Sequence, residues 1–158
     1  MSLLSLLLEA LKARYEDEQK IKESLESKAA NLIAFIAIIV TIYTSFFSGI
    51  LAKQTAFPNA PLFWAGIILY LISGFLSLLV LLVRWGNGPI RITREFVDDW
   101  SKSSISKKQL ERIFQTDYVI GIEDMSAGND SKARFLYGSF FFAFLGIIFT
   151  VLLITISS

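Results

Sequence analysis

The sequence predicts an all-α membrane protein. It has three transmembrane helices, an amphipathic N-terminal helix, and a helical cytoplasmic segment between spans two and three. Three observations carry this. First, residues 29–51, 61–83 and 135–156 contain no Asp, Glu, Lys or Arg and run for 23, 23 and 22 residues. A spanning helix needs about 20 mostly apolar residues. Second, the chain is 54% hydrophobic and only 18% charged, so its 158 residues leave room for one extramembrane subdomain beside the spans. Third, the basic residues are sorted: 14 lie in 1–28 and 84–134, whereas the loop at 52–60 carries only Lys53. The positive-inside bias then puts the N-terminus and the 84–134 segment in the cytoplasm. The 52–60 loop and the C-terminus (157–158) fall outside. The expected location is the cell's inner (plasma) membrane, crossed several times.

Residues 2–28 read as a helix, because Leu4, Leu8, Leu11 and Tyr15 recur on one face. Glu16 to Lys20 interrupt that face, and Ile21 and Leu25 resume it. Such a helix suits the inner leaflet, the cytoplasmic segment or a neighbouring subunit. Met1 to Leu8 lack a basic n-region, so the segment is expected to be retained rather than cleaved as a signal peptide.

Span one, 29–51, can continue directly from this helix, since no Gly or Pro lies between Ser2 and Ser48. Asn31, Ile38, Thr41, Ser45 and Ser48 fall near one face. Their hydroxyls and amide suit either bonding within and between helices or the weakly polar wall of a pore. Phe57 to Pro61 make a tight external turn, with Pro61 placed for a first helical turn. Span two, 61–83, carries Gly66, Tyr70, Ser73 and Ser77 at spacings of 4, 3 and 4. Span three, 135–156, repeats them with Ser139, Ala143, Gly146 and Thr150. Small residues on one face let helices approach closely in lipid, so both stripes are expected to pack helices. Trp64 and Trp85 bracket span two at about 32 Å, close to the hydrocarbon thickness.

Between the spans, Trp85 to Pro89 read as a turn. Thr93 to Lys102 read as a short helix with Phe96, Val97 and Trp100 on its apolar side. Ser106-Lys107-Lys108-Gln109 resembles a capping box opening another helix. Ser126 to Ser131 suggest a kink or short break. A further helix is then expected from Ser131 into span three, with Lys132 and Arg134 at headgroup level.

The chain has no cysteine and no histidine, which removes disulfides, thiolate and imidazole metal sites, Cys nucleophiles and Ser-His-Asp triads. The uncharged spans argue against proton relays, ion-coupled transport and voltage sensing. Adjacent carboxylates at Asp98-Asp99 and Glu123-Asp124 point about 100° apart on a helix and make poor acid/base pairs. No enzyme activity, metal or cofactor is expected. Arg91, Arg94, Lys107, Lys108 and Arg112 could form an anion-binding patch for a nucleotide. Their interleaving with Glu95, Asp98, Asp99 and Glu111 equally suits surface pairing and lipid headgroups. No double-stranded nucleic acid is expected as a partner.

Span one begins Glu26-Ser27-Lys28-Ala29-Ala30-Asn31-Leu32-Ile33, and span three begins Asn129-Asp130-Ser131-Lys132-Ala133-Arg134-Phe135-Leu136. With two spans, a basic inner segment and a Lys-bearing helix leading into a last span, the chain resembles small membrane effectors of prokaryotic anti-phage systems. These are the Pycsar-type transmembrane effectors and the SLATT-type and Hailong-type effectors. The resemblance implies an oligomeric channel or membrane-disrupting protein of abortive infection. A nucleotide from a partner synthase would control it, and its opening would depolarise the cell. The ligand would then bind the inner helices themselves. Three helices cannot enclose a water path alone, so a homo-oligomer is expected, with a tetramer as the working number. The alternative is a non-channel anchor or scaffold that recruits a cytoplasmic partner.

Overall fold

The computed structural model describes residues 3–51, 60–83 and 106–157, which form three helices. Helix α1 is Leu3–Leu51, α2 is Ala60–Leu82 and α3 is Lys107–Ser157. Each contains a stretch long and apolar enough to cross a membrane. The fold is all-α, as the sequence predicts. The N-terminal amphipathic helix and span one are one uninterrupted helix, because no breaker separates them. Pro61 sits in the first turn of α2, where its missing N–H costs nothing. The turns expected at 57–59 and 85–89 and the short helix at 93–102 lie outside the described residues.

At the start of α3 the expected capping box is present. The Ser106 N–H donates to Gln109 Oε1 at 3.0 Å, and the Gln109 N–H donates to Ser106 Oγ at 3.3 Å. Two donors that a helix N-terminus leaves unpaired are thereby satisfied reciprocally.

The expected break at Ser126 to Ser131 is not there. Helix α3 runs through it, so no new helix starts at Ser131. The residues that look like turn formers are used by tertiary packing instead. Gly128 and Asn129 are buried, and the Asn129 side chain is bonded to α1 rather than to its own backbone. An Asn whose amide is occupied this way has no local turn to nucleate.

The chain forms two compact units, one from Met1–Glu23 with Arg84–Asp130, the other from Ser24–Val83 with Ser131–Ser158. In the first, Leu8, Leu11 and Tyr15 are half-buried, as their spacing predicts. Tyr15 meets the Tyr118 ring edge-on at 5.9 Å and lies against Gly121. Burial, with Tyr118 adding to it, holds the Tyr15 hydroxyl above its ordinary value of 10.

The second unit holds the spans. Its buried positions include Ala29, Leu32, Ile36, Tyr43 and Phe47 on α1, Phe63, Tyr70, Ser73, Ser77 and Val80 on α2, and Leu136, Ser139, Ala143 and Leu153 on α3. Most successive positions are three or four residues apart. That 3.5-residue repeat keeps one stripe of each helix facing its neighbours, as in left-handed coiled-coil packing. Large apolar side chains such as Ile42, Phe75, Leu82, Phe141 and Phe144 stay exposed at 59–71%. In lipid such a surface is satisfied; in water it would be an aggregation liability.

Candidate functional site

Two kinds of polar contact are built into the packing stripes. The first is a serine cluster between α2 and α3. Ser73 Oγ donates to the Ser139 carbonyl and Ser139 Oγ to the Ser73 carbonyl, both at 2.6 Å. Ser139 Oγ has then spent its one proton, so Ser77 Oγ is the donor in the 2.6 Å contact between their hydroxyls. All three serines are fully buried. Ser139→Ala removes an acceptor and a donor and frees Ser77 Oγ inside the bundle. An interhelical bond in lipid averages about 0.6 kcal/mol, so a loss of about 1–2 kcal/mol is expected. It is read as a lower melting temperature of the detergent-solubilised protein.

The stripe glycines make room for rings. Tyr70 lies over Gly146, where an added Cβ would stand 2.7 Å from the Tyr70 ring. Thr150 Oγ1 donates to the Gly146 carbonyl at 2.8 Å, so the Tyr70 hydroxyl is the donor to Thr150 at 3.0 Å. Gly66 likewise faces the Tyr43 hydroxyl, 2.9 Å from an added Cβ. Tyr43 donates to the Phe63 carbonyl at 3.3 Å and stacks on the Phe63 ring with centroids 5.1 Å apart. The six residues expected to pack helices are therefore all buried: Gly66, Ser73, Ser77, Ser139, Ala143 and Gly146. The glycines seat tyrosine rings, rather than only letting backbones approach.

The second kind of contact is ionic and was not foreseen from the sequence. In the unit of Met1–Glu23 and Arg84–Asp130, Glu18 is 4% exposed. Its carboxylate takes Arg14 Nη2 at 3.3 Å and Asn129 Nδ2 at 2.9 Å; Asn129 also reaches the Glu18 carbonyl at 2.9 Å. Glu18 thus occupies the packing face that charged residues 16–20 were expected to interrupt. In the other unit, the Lys132 ammonium donates to Glu26 Oε1. Lys132 is 2% exposed and turned toward Glu26 within the unit, whereas Arg134 is exposed. A buried charge is tolerated only when paired, and both Glu18 and Lys132 have partners. The available signal was register. Asn129, Lys132 and Leu136 continue the three-and-four spacing of Ser139, Ala143 and Gly146.

The remaining candidates that fall among the described residues are exposed. Thr41, Ser45 and Ser48 all lie on the open surface of α1, as does Asn31. Thr41 Oγ1 donates to the Ala37 carbonyl at 2.8 Å and Ser48 Oγ to the Ser45 carbonyl at 2.9 Å. The protons of these two hydroxyls are thus satisfied within the helix. Asn31 lines an apolar groove of about 400 Å³ between α1 and α3. Of the basic candidates, Lys108 and Arg112 are exposed one turn apart near the start of α3. Arg91, Arg94 and the Lys107 side chain lie outside the described residues. Among the described residues no cluster of acidic side chains is arranged to hold a metal ion.

A family model described as the Pycsar effector protein domain matches residues 10–157. No curated protein and no solved structure matches the chain. The family match covers all three helices that build the packing stripes. With the all-α fold and three membrane-crossing helices, it shows that this chain belongs to the Pycsar effector family and is a membrane effector of anti-phage defence.

Proposed function

We propose that copies of this chain assemble into a homo-oligomeric, channel-like effector. Its opening depolarises the membrane, and a nucleotide reaching its cytoplasmic side controls it. One observation carries the reading. On α1 the packing residues Ala29, Leu32, Ile36, Tyr43 and Phe47 are buried, while Thr41, Ser45 and Ser48 are exposed. At 100° per residue the two sets centre roughly 150° apart. The hydroxyl stripe therefore points away from its own bundle, where only lipid, a second copy or a lumen can meet it. Hydroxyls that already donate to their own helix present acceptor oxygens outward, a surface suited to a weakly polar pore wall. On the cytoplasmic side, Arg91, Arg94, Lys107, Lys108 and Arg112 supply the cations for a phosphate group.

The cysteine-free sequence makes the test clean. Thr41→Cys, Ser45→Cys and Ser48→Cys proteins, with Ile42→Cys as control, are placed in liposomes and exposed to a membrane-impermeant thiol reagent. Candidate cyclic nucleotides are added and ion leak is recorded. Modification of the three stripe positions but not of Ile42→Cys, rising with nucleotide-induced leak, is the expected result. Arg112→Glu is expected to weaken the nucleotide dependence while leaving assembly intact. A monomer with no leak, or stripe positions that stay unmodified while leak occurs, would overturn the reading. A stoichiometric protein partner without leak would favour a scaffold.

A further inference from the structure

The groove between α1 and α3 is lined by Leu32, Phe35, Phe140, Ala143, Phe144 and Ile147, with Lys28 and Asn31 at one end. Its aromatic walls are open: Phe35, Phe140 and Phe144 are 48%, 47% and 61% exposed. Its volume of about 400 Å³ is that of a small-molecule cleft. Seven residues of α1 separate Lys28 from Phe35, about 10 Å along the axis. The groove thus runs from the charged edge of the span into the hydrocarbon. Lys28 is exposed, and among the described residues it has no ion-pair partner; Glu26, two residues away on the helix, points to another face and pairs with Lys132. No carboxylate lines the groove.

We propose that this groove is a binding site for one anionic phospholipid from the leaflet at the Lys28 end. The phosphate sits on the Lys28 ammonium and the Asn31 amide, and an acyl chain lies along Phe35, Phe140 and Phe144. Charge favours this occupant: Lys28 has no ion-pair partner among the described residues and no carboxylate lines the groove, so the site lacks an anion. The spans of a second copy could cover the aromatic walls but carry no carboxylate of their own. A lipid headgroup brings one at the right depth, with an apolar chain attached.

The test uses full-length Phe144→Trp protein in vesicles containing brominated phosphatidylglycerol or brominated phosphatidylcholine, with the wild-type tryptophan signal subtracted. One lysine near a headgroup is worth about a fivefold preference. Quenching is therefore expected to favour phosphatidylglycerol by about fivefold, to lose that preference in a Lys28→Gln background and to keep it in Lys28→Arg. Lys28 is exposed, so both changes leave the fold intact. Equal quenching by the two lipids, or a preference unmoved by Lys28→Gln, overturns the site. Absent quenching, with Phe144→Cys proteins cross-linking to one another, would show that a second copy fills the groove instead.

Discussion

Gly146→Leu is expected to abolish the packed bundle, the largest effect of any single change in the spans. A Cβ added at Gly146 would stand 2.7, 2.9 and 3.0 Å from three atoms of the Tyr70 ring. That ring is 1% exposed and tethered by Thr150, so it cannot swing aside. Two terms oppose each other. Removing a mid-helix glycine gains about 1 kcal/mol of helix propensity. Forcing atoms into a packed core costs about 1–3 kcal/mol, and more for a branched side chain. For Gly146→Ala the net loss is about 0–2 kcal/mol, toward the upper end because the Tyr70 ring is tethered. For Gly146→Leu the whole branched side chain meets the same ring, and the loss is expected to exceed about 3 kcal/mol. Gly74 is the internal control: an added Cβ there meets nothing within 4 Å. Gly74→Ala is accordingly expected to raise stability by about 0.5–1 kcal/mol. Thermal unfolding in detergent, followed by circular dichroism and size exclusion, separates the two. A Gly146→Ala protein as stable as Gly74→Ala would refute the role of the Tyr70 ring. Trimming the ring in a Gly146→Ala, Tyr70→Leu double variant should recover part of the loss, because the two residues share one contact.

The second large effect is an asymmetry in the Glu26–Lys132 pair. Lys132 is buried, whereas the Glu26 side chain is 34% exposed. Glu26→Ala strands an ammonium away from water, at a cost of about 3–5 kcal/mol. Lys132→Met strands a carboxylate that reaches solvent, and the expected cost is about 1–2 kcal/mol. Replacing both, as Glu26→Leu with Lys132→Met, should return most of the stability, since an apolar pair carries no desolvation penalty. Urea or thermal melts of the four proteins in one detergent complete the cycle. Equal losses for the two single variants would show that burial does not set the cost.

Composition and charge order were sufficient for the spans, because lipid imposes a length and an apolarity that few other environments demand. The small-residue stripes at Gly66, Ser73, Ser77, Ser139, Ala143 and Gly146 were legible from spacing alone, as was the Ser106–Gln109 cap. Both depend on residues close in sequence. The expected break at Ser126 to Ser131 failed, and the buried roles of Glu18, Glu26 and Lys132 went unread, for one reason. Each is settled by a partner 106 or 111 residues away. Local propensity favours a turn at Gly128-Asn129 until Glu18 takes up the asparagine amide.

An all-α membrane protein with three apolar spans, and a chain without histidine or cysteine chemistry, can be read from the local order of residues. Which side chains fill the space beside the small-residue stripes is set by contacts between distant segments. Tyr70 lies over Gly146, Ser77 gives its proton to Ser139, and Lys132 turns inward to Glu26. The physical reason is range. Hydrophobic length and helical period are properties of neighbouring residues, whereas a ring in a glycine's space or a buried charge's counter-ion exists only once distant segments meet.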